Sequence, residues 1–262
     1  MRAVEAFLDS RPYDDVYVRW LLASGQIDRT GELLAWRDDA GAVTGTCYAG
    51  MHFVPSAISG EAVDAFAAHV VRAPRARTIV GPRPSVERFF AAVRPVLPRP
   101  RALRPSQPLY AVARRTLLGS RESAPVARAT RDEVDEIARN SALMIAGEVG
   151  GDPKRATAEF RDRTAKIVEA GWWWRYRIDG RLAFMCNVGS ATSQTAMLQG
   201  VWSPPEMRGS GYARRALAAI CDYLLESVPT LCLYVNDFNR PAIALYEAVG
   251  FERVGEFASI LY

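Results

Sequence analysis

The second half of the chain alternates short apolar runs with stretches in which apolar side chains recur every three or four residues. The runs are typical of strands and the longer spacing is typical of helices. The predicted strands are 126–130, 172–178, 181–188, 195–202, 231–235 and 257–262, and the predicted helices are 131–144, one beginning after Asp152-Pro153, 213–224 and 240–249. Asp179-Gly180 indicates an antiparallel hairpin, and Thr130 with Glu133 indicates a capping box. This order predicts an α/β fold with largely antiparallel strands.

Residues 1–115 repeat this order in a weaker form. The predicted elements are a helix at 16–22, strands at 32–37 and 43–53, a helix at 61–71, a strand at 78–81, a helix at 85–93 and a strand at 109–113. The Pro/Arg-rich stretch 95–105 is predicted to be a loop. We therefore predict two domains of one plan, 1–115 and 126–262, joined by a linker at 116–125.

Composition is that of an ordinary globular protein, with 262 residues of which 49% are apolar and 24% charged. No apolar run reaches the roughly 18 residues that span a bilayer, and the N-terminus lacks the apolar core of a signal peptide. We expect a cytoplasmic protein with no membrane partner. The sequence pI is about 9.0. The arginines between 72 and 104 are interleaved with prolines and lack the aromatic spacing of a stacking platform, which favours a solvated surface over a nucleic-acid groove.

The four cysteines are widely spaced, and His52 and His69 are the only histidines. Neither set has the spacing of a metal site, so no metal is expected. Each cysteine falls in an apolar strand or helix pattern, which predicts reduced thiols in the core.

The most informative segment lies between a predicted strand and a predicted helix and reads Arg208-Gly209-Ser210-Gly211-Tyr212-Ala213. Glycines allow left-handed backbone angles and close approach of a ligand. The amides at this helix N-terminus would face an anion, and Arg208 would add a charged donor. The segment therefore predicts a diphosphate-binding turn. No Gly-Lys-Ser/Thr loop is present, and a third glycine at dinucleotide-fold spacing is missing.

A second block, Asn239 to Phe251, raises the specificity of the first. Together the two blocks resemble the GNAT superfamily of acyl-CoA-dependent N-acyltransferases. The family's Arg/Gln-x-x-Gly-x-Gly/Ala loop is matched by Arg208, Gly211 and Ala213, and its later signature by Asn239, Ala242, Tyr246, Gly250 and Phe251. The resemblance covers 126–262 and implies a mixed, mostly antiparallel sheet flanked by helices, with acetyl-CoA as co-substrate. Residues 1–115 lack both motifs, which indicates a tandem protein with a degenerate N-terminal half.

The resemblance also implies roles for individual residues. Backbone groups of Val201, Trp202 and Ser203 would pair with the pantetheine arm, and the turn from Arg208 to Ala213 would bind the diphosphate. Tyr246 would protonate the leaving thiolate; the alternative is a core tyrosine packed on Leu217. Asn239 is predicted to be mainly a helix N-cap with a possible contact to CoA.

The general base is the weakest point of the match. The family often has a carboxylate on the strand before the turn, whereas 195–202 has none, and Gln199 cannot accept a proton usefully. Glu148, in a predicted Gly-rich loop at 146–152, is the candidate base, with an ordinary solvated glutamate as the alternative.

The acceptor is expected to be an amine of a small molecule or of a protein or peptide. Trp172 and Trp174 share one face of their strand, where they would line an acceptor pocket if the strand were not simply buried on both faces. Two other functions are alternatives to the enzyme. The first is a non-catalytic acyl-CoA sensor or scaffold, and the second is an aminoacyl-tRNA-using transferase, for which the CoA turn would have no purpose.

Overall fold

The structure is a computed structural model that describes residues 1–50, 52–72, 78–149 and 157–262. The helices are α1 (Arg2–Asp9), α2 (Val16–Ala23), α3 (Ile27–Thr30), α4 (Gly60–Val70), α5 (Arg83–Val93), α6 (Val134–Val149), α7 (Ala158–Glu169), α8 (Tyr212–Leu224) and α9 (Arg240–Val249). The strands are β1 (Gly31–Arg37), β2 (Val43–Gly50), β3 (His52–Ala57), β4 (Thr78–Pro82), β5 (Ala102–Ala113), β6 (Ala127–Arg128), β7 (Trp173–Ile178), β8 (Arg181–Ala191), β9 (Thr195–Trp202), β10 (Thr230–Tyr234) and β11 (Glu252–Leu261).

Both halves follow one order of elements, as predicted. Three strands, a helix, a strand, a helix and a strand run from β1 to β5 and again from β7 to β11. The predicted hairpin turn is present, with left-handed Asp179 (φ 47°) and Gly180 (φ 75°) joining β7 to β8. In the predicted capping box, the Thr130 amide donates to Glu133 Oε2 at 2.8 Å. The fold is the mixed, mostly antiparallel α/β architecture that was expected.

The described strands form one continuous sheet in the order β1-β2-β3-β4-β11-β5-β10-β9-β8-β7-β6. The last strand of each half therefore lies beside the penultimate strand of the other half: β11 pairs with β4, and β5 pairs with β10, both antiparallel. Ala258 and Ile260 of β11 are buried with Phe66 and Phe89 of the N-terminal helices. Tyr110 and Val112 of β5 are buried with helices α8 and α9 in the C-terminal core. The two halves thus exchange strands.

Helices cover both faces of this sheet. In the C-terminal half, α8 and α9 pack on one face, while α6 and α7 pack on the other around Ile137, Val168 and Trp173. Helix α2, although N-terminal in sequence, places Val16 against the central strands at Ala111, Met197 and Cys232. An N-terminal helix therefore forms part of the wall beside the C-terminal strands.

Some predicted elements differ from the structure, and the last strand, predicted at 257–262, begins earlier, at Glu252. The single strand predicted at 43–53 is instead a hairpin of β2 and β3. The apolar alternation is continuous across it and does not mark where the chain reverses. Met51 lies outside the described residues. The loop predicted at 95–105 ends early because β5 begins at Ala102. The prolines of this stretch suggested a loop. The pairing of β5 with β11 contains register shifts, and such an irregular ladder tolerates proline within a strand.

Two short N-terminal helices, α1 and α3, were not predicted. The predicted start of the helix after Asp152-Pro153 lies outside the described residues. The boundaries predicted at 115 and 126 both fall between the end of β5 at Ala113 and the start of β6 at Ala127, and the division into two domains stays a prediction.

Candidate active site

The turn before α8 has the backbone that its glycines suggested. Gly209 and Gly211 are left-handed, with φ of 76° and 75°. A Cβ built on either glycine would have no atom within 4 Å, so the space in front of the helix is open. Among the described residues no acceptor is found for the amides from Gly209 to Arg214, and the first amide that is paired is Arg215, to the Gly211 carbonyl. Unpaired donors at a helix N-terminus fit a diphosphate.

Arg208 is held beside this turn by its neighbours. Its Nε donates to the Ser203 carbonyl at 3.0 Å, and its guanidinium carbon lies 4.5 Å above the Trp202 ring. The Ser203 hydroxyl and the Trp202 indole nitrogen are buried without a partner among the described residues.

Strands β9 and β10 diverge just before the turn. Parallel pairing ends at Cys232 with Met197, although β9 continues to Trp202 and β10 to Tyr234. Gly200 is left-handed, with φ of 61°, and a Cβ there would lie 2.7 Å from Asn187 Oδ1. Among the described strands, the backbone from Leu198 to Trp202 therefore has no partner on its β10 side.

A cavity of about 490 Å³ opens at this divergence, and Tyr246 lies in its wall. The Tyr246 ring is buried, 5% exposed, and packs at 6.4 Å from the ring of Tyr110 and 5.9 Å from that of Phe251. No hydrogen bond from its hydroxyl is found among the described residues. Burial raises the pKa of Tyr246, and the nearby Glu148 carboxylate adds to the effect. The phenol is therefore protonated at neutral pH and available as a proton donor.

Glu148 lines the same cavity from the last turn of α6. Glu148 was predicted to lie in a loop, and this prediction is wrong. The helix continues through Gly147, because a single glycine destabilises a helix of strong helix formers by only about 1 kcal/mol. Arg104 approaches Glu148 with Nη1 3.6 Å from Oε2 and donates to its carbonyl at 3.1 Å. The carboxylate is 43% exposed. Residues 150–152 of the predicted loop lie outside the described part.

Asn239 is the N-cap of α9, as predicted. Its side-chain oxygen accepts from the Ala242 amide at 3.3 Å, and the residue also lines the cavity. At the other end of this helix Gly250 is left-handed, with φ of 98°, so the family signature coincides with the two ends of one helix.

Trp172, Trp173 and Trp174 are absent from the described lining of this cavity. Trp173 and Trp174 are buried in two cores on opposite faces of the strand. Trp172 packs at 5.9 Å from Trp20 of α2. The interpretation as a strand buried on both faces is confirmed.

Several cavity residues come from the N-terminal half and were missed. Asp14, Tyr17 and His52 line the cavity, as do Arg104 and Gln107 of β5. The sequence signal was slight: an Asp14-Asp15 pair directly before a predicted helix. Since pairing between halves is not encoded in local pattern, these residues could not have been assigned to the site.

The N-terminal half has a helix equivalent to α8 in α4, but its start is closed. Ser59 caps the Ala62 amide at 3.3 Å. Arg88, held by Asp64 at 2.8 and 2.6 Å, lies where a side chain on Gly60 would project. This end therefore lacks the open amides found at α8.

The cysteines are buried and reduced, as predicted. Burial raises the pKa of Cys232 to about 12, and the pKa of each other thiol is raised for the same reason. Within the described ranges no three metal-binding side chains lie together, and none of the helices there could cross a membrane.

Comparison with known proteins identifies the C-terminal half. Residues 139–251 match the model of the Acetyltransferase (GNAT) family. The chain carries a GNAT acetyltransferase domain. Residues 31–137 match a family described as a domain of unknown function, DUF4081. No curated protein matches the chain.

Solved structures of GNAT proteins share the fold over nearly the whole chain. A GNAT acetyltransferase from Colwellia psychrerythraea is 11% identical with a TM-score of 0.59, covering 100% of this chain and 95% of that one. A GCN5-related N-acetyltransferase from Kribbella flavida is 15% identical with a TM-score of 0.55, covering 92% and 93%. A tandem GNAT protein from the clavulanic acid biosynthesis pathway is 15% identical with a TM-score of 0.51, covering 89% and 83%.

These similarities place the chain among tandem GNAT folds. Residues 139–251 are a GNAT acetyltransferase domain, the kind of domain found in acyl-CoA N-acyltransferases.

Proposed function

We propose that this protein transfers an acetyl group from acetyl-CoA to a primary amine by direct attack. The observation that carries the proposal is the divergence of β9 and β10, which opens into a cavity containing Tyr246 beside the open N-terminus of α8. The diphosphate would lie on the amides of Gly209, Ser210, Gly211, Tyr212 and Ala213, with Arg208 beside it. Asn239 would contact the cofactor from the start of α9.

The thioester carbonyl would be oriented by the unpaired edge of β9. Amides that face developing negative charge stabilise it without having to reorganise. Left-handed Gly200 lies at a register shift in the pairing of β9 with β8, and Val201, Trp202 and Ser203 follow it directly. These backbone groups are the ones that we assign to the pantetheine arm and the carbonyl.

Tyr246 is the proposed leaving-group acid. An ordinary phenol, pKa about 10, gives its proton to an ordinary thiolate, pKa about 8.5, at a cost of about 2 kcal/mol. Burial raises the pKa of Tyr246 further and makes that step harder, yet it also ensures that the proton is present. Departure of the thiolate drives the transfer.

Glu148 is the proposed base, acting directly or through water. A lysine-like amine costs about 4.6 kcal/mol to deprotonate at pH 7, whereas an α-amine costs about 1 kcal/mol. A general base is therefore needed more by a lysine-like acceptor than by an α-amine. Gln199 also lines the cavity and would position a water.

A sensor or scaffold that binds acyl-CoA without turnover is the second candidate, and it is motivated by the absence of a carboxylate in β9. Release of free thiol from acetyl-CoA across a panel of amines separates the two. Turnover with any amine supports the enzyme, whereas tight acetyl-CoA binding without turnover on all of them supports the sensor.

The binding site is tested by calorimetric titration of acetyl-CoA into wild type, Gly211→Glu and a matched control, Gly41→Glu. Gly211 and Gly41 have φ of 75° and 81° and open space around the missing Cβ, so both substitutions strain the backbone equally. Only Gly211→Glu places a carboxylate in the proposed diphosphate site. We expect a loss of affinity of about tenfold or more for it and an unchanged affinity for Gly41→Glu. Equal binding by all three proteins would remove the site.

A further inference from the structure

Arg104 of β5 contacts the proposed base at two places. Its Nη2 donates to the Glu148 carbonyl at 3.1 Å, and its Nη1 lies 3.6 Å from Oε2 of the Glu148 carboxylate. A helix leaves its last four carbonyls without an intrahelical partner, and Glu148 is next to the last residue of α6. One guanidinium therefore holds both the main chain and the side chain of Glu148.

The end of α6 depends on such an outside contact. Gly147 lies directly before Glu148, and glycine destabilises a helix by about 1 kcal/mol relative to alanine. The Glu148 side chain is 43% exposed, so packing alone does not fix it, whereas the Arg104 side chain is only 10% exposed. A cation at a helix C-terminus is also favoured by the helix dipole. Arg104 is thus the fixed partner, and Glu148 takes its position from it.

A buried polar network fixes Arg104 in turn. Its Nη1 donates to Asn236 Oδ1 at 3.1 Å, and Gln107 Nε2 donates to the same oxygen at 3.0 Å. The Ser259 hydroxyl donates to Gln107 Oε1 at 2.6 Å. Asn236, Gln107 and Ser259 are all buried. Because arginine has no acceptor, the Asn236 amide must present its oxygen to Arg104, which fixes the orientation of both groups.

The carboxylate that Arg104 orients stays accessible. The Nη1 of Arg104 is already bound to Asn236, and its distance of 3.6 Å from the Glu148 carboxylate exceeds the roughly 2.9 Å of a charge-assisted hydrogen bond. Arg104 therefore attracts the carboxylate without engaging its oxygens in a short hydrogen bond. Glu148 and Arg104 line the same cavity as Tyr246. The oriented carboxylate thus belongs to the cavity of the proposed transfer and can still accept a proton from an amine there.

Arg104 and Gln107 reach this place through the exchange of strands. Both belong to β5, the last strand of the N-terminal half, which lies between β11 and β10 of the other half. We propose that Arg104 is a positioning residue that holds Glu148 in the place where it accepts the proton of the attacking amine. The N-terminal half, whose own helix α4 has a capped start, thereby supports the base of the other half. This inference rests on the proposed acetyl transfer with Glu148 as base.

A double-mutant cycle tests the inference. Thiol release from acetyl-CoA is measured for wild type, Arg104→Met, Glu148→Gln and the double variant, with the amine that wild type turns over fastest in the panel above. Arg104→Met should lower kcat by about 10- to 100-fold, the loss expected when a reacting group is misplaced, and leave acetyl-CoA affinity unchanged. In the Glu148→Gln background the same substitution should change kcat by less than about twofold, because the base that Arg104 holds is already gone.

Arg104→Lys provides the same cycle in a variant that keeps the cation. A lysine ammonium is a single point of charge and cannot hold the Glu148 carbonyl and Asn236 in the fork geometry of a guanidinium. Its kcat should therefore fall between those of wild type and Arg104→Met, again only when Glu148 is present. Arg99→Met, which removes an exposed arginine outside the described cavity wall, is the control and should match wild type.

Three results would overturn the inference. The first is wild-type kcat in Arg104→Met, or in Arg104→Lys if Arg104→Met does not fold. The second is an equal loss in both backgrounds, which is what a merely structural role would give. The third is a Glu148→Gln rate within about threefold of wild type, since there would be no base to position, although acetyl transfer would stand. Absence of wild-type turnover with every amine would instead remove the underlying function, and this inference with it.

Discussion

Tyr246 and Glu148 reach one cavity from two different helices, α9 and α6. Tyr246 could be proposed from sequence because its neighbours in the motif are local: Asn239 caps α9 and Gly250 ends it. Glu148 could only be a guess, since its partner Arg104 lies in a stretch that looked like a loop. Asp14 had no sequence signal that tied it to the site.

We predict that Glu148→Gln keeps acetyl-CoA affinity and lowers kcat/KM at neutral pH by ~10² to 10⁴, the loss expected when a general base is removed. The deficit should shrink as pH approaches the acceptor's own pKa, because solvent then removes the proton. Steady-state kinetics across pH, with an α-amine and a lysine-like amine, measures this.

The control is Glu159→Gln, which removes a glutamate whose side chain is 84% exposed. A Glu148→Gln rate within about threefold of wild type at neutral pH would show that Glu148 is a bystander. Gln199 and bulk water would then suffice, and an α-amine would become the favoured acceptor.

At the scale of elements, most helices and strands followed from periodicity and capping, because those signals are local. The bounds of β9 and α9 agree with the prediction, and so does the capping box before α6. The exchange of β5 and β11 could not be predicted. Each strand has the same apolar pattern whether it pairs within its own half or with the other, so only the packed cores distinguish the two arrangements.

We predict that neither half folds alone. A fragment 126–262 would leave β10 and β11 without β5 between them, exposing two strand edges and part of the core. Expressed alone, it should aggregate or fail to bind acetyl-CoA. Expressed together with 1–119, it should form a soluble pair that binds acetyl-CoA as the intact chain does. Size-exclusion chromatography measures the pairing, and calorimetry measures the binding. A folded, monomeric 126–262 with full affinity would contradict the exchange.

At the scale of the whole molecule, one cavity joins both halves. The glycine turn before α8, Tyr246 and the diverging strands come from the GNAT domain, while α2 and β3 contribute to the cavity lining. The half whose helix α4 has a capped start therefore still contributes to this cavity. Sequence motifs pointed to the first set because they are local in the chain, whereas the second set depends on how the halves pack.

The central claim is acetyl transfer at Tyr246, and thiol release from acetyl-CoA by Tyr246→Phe tests it most directly. The hydroxyl has no hydrogen-bond partner among the described residues, so its removal should leave stability within about 0.5 kcal/mol. Tyr223→Phe, outside the described cavity wall, is the control. We predict that Tyr246→Phe binds acetyl-CoA like wild type but turns over ~10² to 10⁴ more slowly. Wild-type turnover by Tyr246→Phe would contradict this role.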